Sequence, residues 1–235
     1  MEYKKAAELF NSIGLNLTDI QFKSFEKYKD DLLYWNTKIN LTAITEDEEI
    51  WIKHFLDSAT ILKYIQKNSS LIDIGTGAGF PSIPVNIMDN SIKITLLDSL
   101  NKRINFLKTT CENLGINNAE FVHGRAEDFA SDNNYREKFD IATARAVANL
   151  STLVEYCLPF VKKGGIFICM KGDNCELEIE EAKTAIKKLG GIISSVNSFE
   201  IASGLKRNII IIEKVSNTPK EYPRKAGIPS KNPIK

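Results

Sequence analysis

The spacing of apolar residues changes once along the chain, near residue 66. Upstream, Leu9, Phe10 and Ile13, then Phe22, Phe25, Tyr28, Leu32 and Leu33, recur at intervals of three and four, as on the buried stripe of a helix. Thr18-Asp19 offers an N-cap to the second helix, and Thr45 with Glu48 fits a capping box ahead of Ile50 and Trp51. From Ser70 onward, short apolar runs alternate with amphipathic segments. Leu71–Ile74, Ile92–Leu97, Ala119–Val122, Phe139–Ala142, Ile166–Met170, Gly191–Phe199 and Arg207–Glu213 predict strands. Ile83–Met88, Lys102–Leu114, Leu150–Val161 and Glu176–Leu189 predict helices between them. Such alternation predicts an α/β fold with a doubly wound, mostly parallel sheet of seven strands. No helix separates the last two strands, which predicts an antiparallel hairpin at one edge. Three parts follow: a helical segment packed on the core (1–66), the α/β domain (67–214) and a Pro-rich tail (215–235).

Composition narrows the class further. With 43% hydrophobic and 26% charged residues the chain has the make-up of a globular protein that folds without disulfides. Cys111, Cys157, Cys169 and Cys175 never form a CxxC pair, and the expectation is four free thiols in a reducing compartment. No apolar run approaches the roughly 20 residues of a membrane span. The opening Met1-Glu-Tyr-Lys-Lys carries an acid and does not read as a signal peptide, so a cytoplasmic protein is expected. His54 and His123 are too few and too scattered to predict a metal site. The net charge is +1, but Lys214–Lys235 holds six basic residues against Glu221 alone, leaving −4 for the remainder. A cationic arm on a slightly acidic body suggests a polyanionic partner. The same prolines also fit a strap fixed across the sheet edge.

Chemistry concentrates in Asp73-Ile-Gly75-Thr-Gly77-Ala-Gly79-Phe80, which follows an apolar strand and precedes a helix. Glycines there let backbone amides approach a ligand at the carboxyl end of the strand. The spacing is GxGxG, with Phe80 where the dinucleotide fingerprint continues, and Asp73 would repel a pyrophosphate. A carboxylate at 73 instead suits the ammonium of a methionine moiety. Asp98, 25 residues beyond Asp73 at the end of the second strand, is placed to bind ribose hydroxyls. Arg125-Ala126-Glu127-Asp128 follows the third strand. This combination points to S-adenosyl-L-methionine. At the end of the fourth strand stands Asp140-Ile-Ala-Thr-Ala-Arg145, without the Asn/Asp-Pro-Pro-aromatic element of enzymes that methylate exocyclic base amines.

The chain as a whole resembles the bacterial 16S ribosomal RNA guanine-N(7) methyltransferases, the glucose-inhibited division protein B family. The resemblance is carried by Asn40-Leu-Thr-Ala43, His54-Phe-Leu-Asp57-Ser58, the glycine loop through Pro81, Asp98-Ser-Leu-Asn-Lys-Arg103, Ala144-Arg145-Ala146, Lys171-Gly172 and Thr218-Pro-Lys-Glu-Tyr-Pro-Arg-Lys-Ala-Gly-Ile-Pro229. It implies a Rossmann-like class I methyltransferase fold, 16S rRNA or the small ribosomal subunit (finished or in assembly) as partner, and one guanosine near the decoding centre as acceptor. It also implies that Gly75, Phe80, Ala126, Glu127 and Arg145 line the cofactor site, with Asp73, Gly77, Gly79 and Asp98 added on position. N(7) of guanine already has an in-plane lone pair, so no indispensable general base is expected. Arg145 is the residue expected to orient the reactants. Lys53, Lys171, Arg207, Arg224 and Lys225 are expected to contact RNA, with Tyr222 as a stacking group. A monomer is the default expectation. A small-molecule methyltransferase, a non-catalytic cofactor- or RNA-binding protein and, less suited to the loop spacing, an NAD-dependent oxidoreductase remain alternatives at this point.

Overall fold

A computed structural model describes residues 1–145 and 147–234; Ala146 of the Ala-Arg-Ala motif and Lys235 of the basic tail lie outside them. Strands β1 (Ser70–Ile74), β2 (Lys93–Asp98), β3 (Ala119–His123), β4 (Phe139–Arg145), β5 (Val161–Lys171), β6 (Gly191–Ile201) and β7 (Leu205–Lys214) form one sheet in the order β3-β2-β1-β4-β5-β7-β6. The first five run parallel, and β7 is antiparallel to both β5 and β6. The seven-stranded, mostly parallel sheet expected from the sequence is thus the one observed, with β7 inserted between β5 and the edge strand β6. Central β1 reads Ser-Leu-Ile-Asp-Ile and is buried on both faces, as a parallel strand covered by helices must be. Strand order reverses between β1 and β4, so a crevice opens where Ile74 and Arg145 end.

Helices α1 (Tyr3–Ser12) and α2 (Asp19–Asn36) precede the sheet. The Thr18 cap is present in full, with Gln21 returning the bond to complete a capping box. The Thr45–Glu48 box does not form. Helix α3 (Asp47–Ile50) starts at an N-cap Glu46 whose side chain makes no capping bond. Asp47 is held instead by the Met1 ammonium at 2.6 Å and Lys29 at 2.6 Å, and three acids load the first turn, where the helix dipole favours them. The chain continues as a π-helical segment, Trp51–Leu56, and a short α4 (Asp57–Ala59). Helices α5 (Ser82–Met88), α6 (Asn101–Leu114), α7 (Ala126–Phe129), α8 (Leu150–Cys157) and α9 (Glu176–Lys188) cover the sheet, and α10 (Ile228–Lys231) lies in the tail.

Two apolar clusters divide the interior. One joins Phe10, Phe25, Leu32, Trp51 and Phe55 to Leu71, Leu96, Ile141 and Ile168, so the N-terminal helices and one sheet face share a core. The other packs α8 and α9 on the opposite face and takes in Ile234. A column of rings runs from the first cluster to the glycine loop: Phe25–Phe55 at 4.8 Å, Phe55–Tyr28 at 5.4 Å and Tyr28–Phe80 at 5.5 Å.

Candidate active site

The glycine loop connects β1 to α5, and all three glycines take left-handed φ: 68° at Gly75, 61° at Gly77 and 92° at Gly79. At Gly79 a Cβ would also come within 2.5 Å of Ile83 and 2.9 Å of the Tyr28 hydroxyl. At Gly77 nothing but the Gly75 carbonyl oxygen, at 3.9 Å, would be met, so the loop is open there. Asp73 lies wholly beneath the loop, where its Oδ2 accepts from the Thr76 hydroxyl at 2.9 Å. Its Oδ1 and the Ser82 hydroxyl are buried without a partner of good geometry. Burial pushes the Asp73 carboxyl up to about 7, against the pull of nearby Thr76 and Ser82 donors and the Arg145 charge. Asp98 is nearly buried too. It accepts from the Gly77 amide (2.9 Å), the Leu100 amide (2.9 Å) and Arg103 (3.4 Å), which ties the loop to β2. Both acids therefore brace the loop in this arrangement. Ala126 and Glu127 are buried at the start of α7, and Glu127 Oε1 accepts from the Gly227 amide at 2.9 Å.

Arg145 ends β4 and is gripped from several sides. Its Nη1 donates to the Lys53 carbonyl and to Asp57 Oδ2, both at 3.2 Å; its Nη2 donates to His54 Nδ1 at 3.3 Å. The guanidinium lies 4.8 Å from the centroid of Phe80, whose ring is stacked on His54 at 4.4 Å. Because arginine only donates, His54 Nδ1 must accept, so Nε2 carries the ring proton and donates to Thr42 Oγ1 at 2.8 Å. Burial, then the neighbouring Arg145 charge, lowers the His54 pKa to about 3, which keeps the ring neutral. Asp57 is shared: its Oδ1 accepts from Arg207 Nε at 2.8 Å. The carboxylate is 4% exposed and spans two guanidiniums, one from β4 and one from β7.

His54, Asp57, Arg145 and Arg207 line a cavity of about 350 Å³ together with Ile44, Lys53, Met170, Lys171 and Gly172. Three of the basic residues expected at RNA, Lys53, Lys171 and Arg207, thus converge with Arg145 on one hollow at the strand-four end of the crevice. Lys53 is paired with Glu49, and Lys171 with Glu178 Oε2 at 2.7 Å. The tail residues are elsewhere. Arg224 is engaged within the fold: its Nε and Nη2 donate to Glu155, the latter at 2.6 Å, because that carboxylate is fully buried and needs a countercharge. Tyr222 is half-buried against the second apolar cluster, which occupies part of its ring, and Lys225 is exposed. Ile44 and Met170 were missed as lining groups. His54 and Asp57 had a local signal in the spacing of three on one helix; Met170 had none.

Among the described residues no group of three or more His, Cys, Asp and Glu is placed to hold a metal. No helix among them is long and apolar enough to cross a membrane.

A β3-β2-β1-β4-β5-β7-β6 sheet with a glycine loop after β1 and an acid ending β2 defines the Rossmann-like class I methyltransferases. Solved structures agree on the fold: an O-methyltransferase from Bacillus cereus in complex with SAH aligns with a TM-score of 0.57 at 15% identity, over 80% of this chain and 91% of that one. M. jannaschii TYW2 in complex with AdoMet also gives 0.57, at 14% identity, over 76% of this chain and 80% of that one. Sequence goes further than fold. The family described as rRNA small subunit methyltransferase G matches residues 21–210. Ribosomal RNA small subunit methyltransferase G of Acetivibrio thermocellus is 53% identical over 226 residues, 95% of this chain and 93% of that protein. The chain belongs to the rRNA small subunit methyltransferase G family.

Proposed function

We propose that this protein, as a cytoplasmic monomer, transfers the methyl group of S-adenosyl-L-methionine to N(7) of one guanosine in 16S rRNA, near the decoding centre. The residues present fit the cofactor. The loop is open at Gly77, Asp73 retains a buried acceptor oxygen suited to a cation, Asp98 ends β2 and Glu127 stands in α7, just past β3. Gly75, Gly77, Gly79 and Phe80 would hold the methionine end, and Asp98, Ala126 and Glu127 the adenosine end. When bound, the cofactor supplies an electrophilic methyl group on a sulfonium.

One observation carries the choice of acceptor. Both groups in the cavity able to take a proton are already committed: His54 accepts from Arg145 through Nδ1, and each oxygen of Asp57 holds an arginine. An acceptor that had to be deprotonated, such as an amine or hydroxyl, would find no free base there. N(7) of guanine needs none. What the chain contributes is placement, and holding two reactants in line supplies effective molarities on the order of 10⁵–10⁸ M. Lys53, Lys171 and Arg207 draw the phosphodiester chain to the cavity mouth, and the free donor edge of Arg145 orients the base.

The test is incubation with methyl-labelled S-adenosyl-L-methionine and undermethylated small ribosomal subunits, then digestion of the rRNA to nucleosides. Label in 7-methylguanosine at one site is the expected result. Intact cofactor binding with no labelled nucleoside would overturn the RNA acceptor in favour of a small molecule.

A further inference from the structure

Past β7 the chain turns back across the molecule. Thr218 donates its amide to Glu137 Oε1 (2.7 Å) and accepts from the buried Lys214 ammonium (2.6 Å). Arg136 donates to the carbonyls of Thr218 (2.7 Å), Pro219 (3.2 Å) and Tyr222 (2.8 Å). Arg224 then clamps Glu155 of α8 with its amide (2.7 Å), Nε (3.0 Å) and Nη2 (2.6 Å). Among the described residues Glu155 accepts from nothing else. Three residues on, the Gly227 amide donates to Glu127 Oε1 (2.9 Å), and Pro229 is buried, its carbonyl accepting from Thr152 of α8 (3.2 Å).

The segment is therefore fastened at five successive places, the fourth of them on a residue assigned to the cofactor site. A buried carboxylate such as Glu127 turns until its acceptors are satisfied, so the group that satisfies it fixes its orientation. Gly227 reaches Glu127 only if the strap is docked, and the Arg224–Glu155 clamp docks it.

We propose that this strap is a working part of the cofactor site: Arg224 and the Gly227 amide position Glu127, and the tail sets cofactor affinity. The inference rests on the reading that Glu127 lines the adenosine end. It assigns Arg224 a positioning role in place of the phosphate contact that its charge suggests. Reciprocity follows, since a strap that favours cofactor binding is itself held more firmly once cofactor is bound.

Two measurements test it on the full chain, with S-adenosylhomocysteine as the probe. In the wild-type protein, amide exchange of peptides spanning 222–230 should slow on saturation with the probe; exchange there that ignores the probe overturns the proposal. In calorimetric titrations, the paired variant Arg224→Met with Glu155→Leu removes both charges and leaves no lone buried carboxylate. It should raise the probe Kd about fivefold or more, with kcat at saturating cofactor and the salt slope of RNA affinity within about twofold of wild type. An unchanged Kd in the paired variant, while Glu127→Gln weakens binding, overturns the strap alone. An unchanged Kd in Glu127→Gln overturns the underlying placement of Glu127. A shallower salt slope in the paired variant at unchanged Kd returns the tail to RNA binding. Should the paired variant fail to fold, the exchange measurement on the wild type decides.

Discussion

His54 shows how a single side chain is set by its surroundings. Its folded pKa of about 3, lowered by burial and then by Arg145, lies below the ordinary value of 6.5. As pH falls, the unfolded chain therefore takes up the proton first. The stability this ring contributes is fully present above pH 6.5 and is lost progressively toward pH 3. Between pH 7 and pH 5 the wild type should lose about 2 kcal/mol more than His54→Asn, read from urea midpoints at the two pH values; parallel losses would show that the ring ionises freely. Arg145 makes the neighbouring case. Arg145→Ala removes the hydrogen bonds from β4 to Lys53 and His54 of the π segment and to Asp57, and with them the donor edge proposed to orient the base. It should lower kcat/KM for undermethylated subunits by about 100-fold, the cost of misplacing reactants by about an ångström. Activity near normal would reduce Arg145 to a structural ion pair. The sequence showed that arginine and the two acids of the glycine-loop region, because each stands at a strand end, a position that periodicity locates. Their partners stayed hidden, since Arg145 and Asp57 are separated by 88 positions and nothing local marks the pair.

At the scale of elements, the π-helical segment and the glycine loop carry the site. A π segment adds a residue per turn, and it recurs where tertiary contacts outweigh the regular helical bond. Here Trp51 enters the aromatic cluster while Lys53 gives its carbonyl to Arg145 from the same six residues. Sequence pattern anticipated a helix and missed its irregularity for that reason. Asp57→Asn, just past the segment, leaves Arg145 and Arg207 facing each other without their shared carboxylate. Breaking such a pair should cost about 3–5 kcal/mol, measured by equilibrium unfolding. Two glycines separate conformational strain from steric room. At Gly79 an alanine meets both left-handed φ and the Ile83 and Tyr28 atoms, whereas at Gly164 it meets φ of 83° and open space. Gly79→Ala should cost more than Gly164→Ala, whose strain alone is about 1–2 kcal/mol, and only the first should weaken cofactor binding. The Thr45–Glu48 box failed on features visible only in three dimensions: the helix begins one residue later, with Glu46 at the N-cap, and Glu48 pairs with Lys5 at 2.8 Å.

Over the whole molecule, the N-terminal helices and the sheet share one apolar core, in which Phe25, Trp51 and Phe55 cluster with strand residues, and they are expected to unfold together. A fragment beginning at residue 67 would expose that face of the sheet. It should lack a sigmoidal urea transition, as followed by far-UV circular dichroism. RNA binding belongs to this scale as well. With Lys53, Lys171 and Arg207 gathered at one cavity, Arg207→Gln should lower the slope of log affinity against log salt by about one contact's worth. Lys220→Gln, on the exposed tail, should leave it nearly unchanged. Equal slopes for the two variants would place RNA elsewhere.

What the sequence determined by itself is what short-range spacing encodes. Alternating apolar runs specify strands and helices, and their order specifies a parallel sheet with an antiparallel edge. A glycine loop followed by a strand-end acid specifies the cofactor, because both stand at the carboxyl ends of consecutive strands, positions that periodicity locates. The tertiary structure alone decided which charges remain free. Arg207 meets Asp57 across 150 positions and Arg224 meets Glu155 across 69, pairings enforced by burial. A carboxylate removed from water requires a cation wherever the fold supplies one. The basic tail, an arm by charge count, is for that reason a strap.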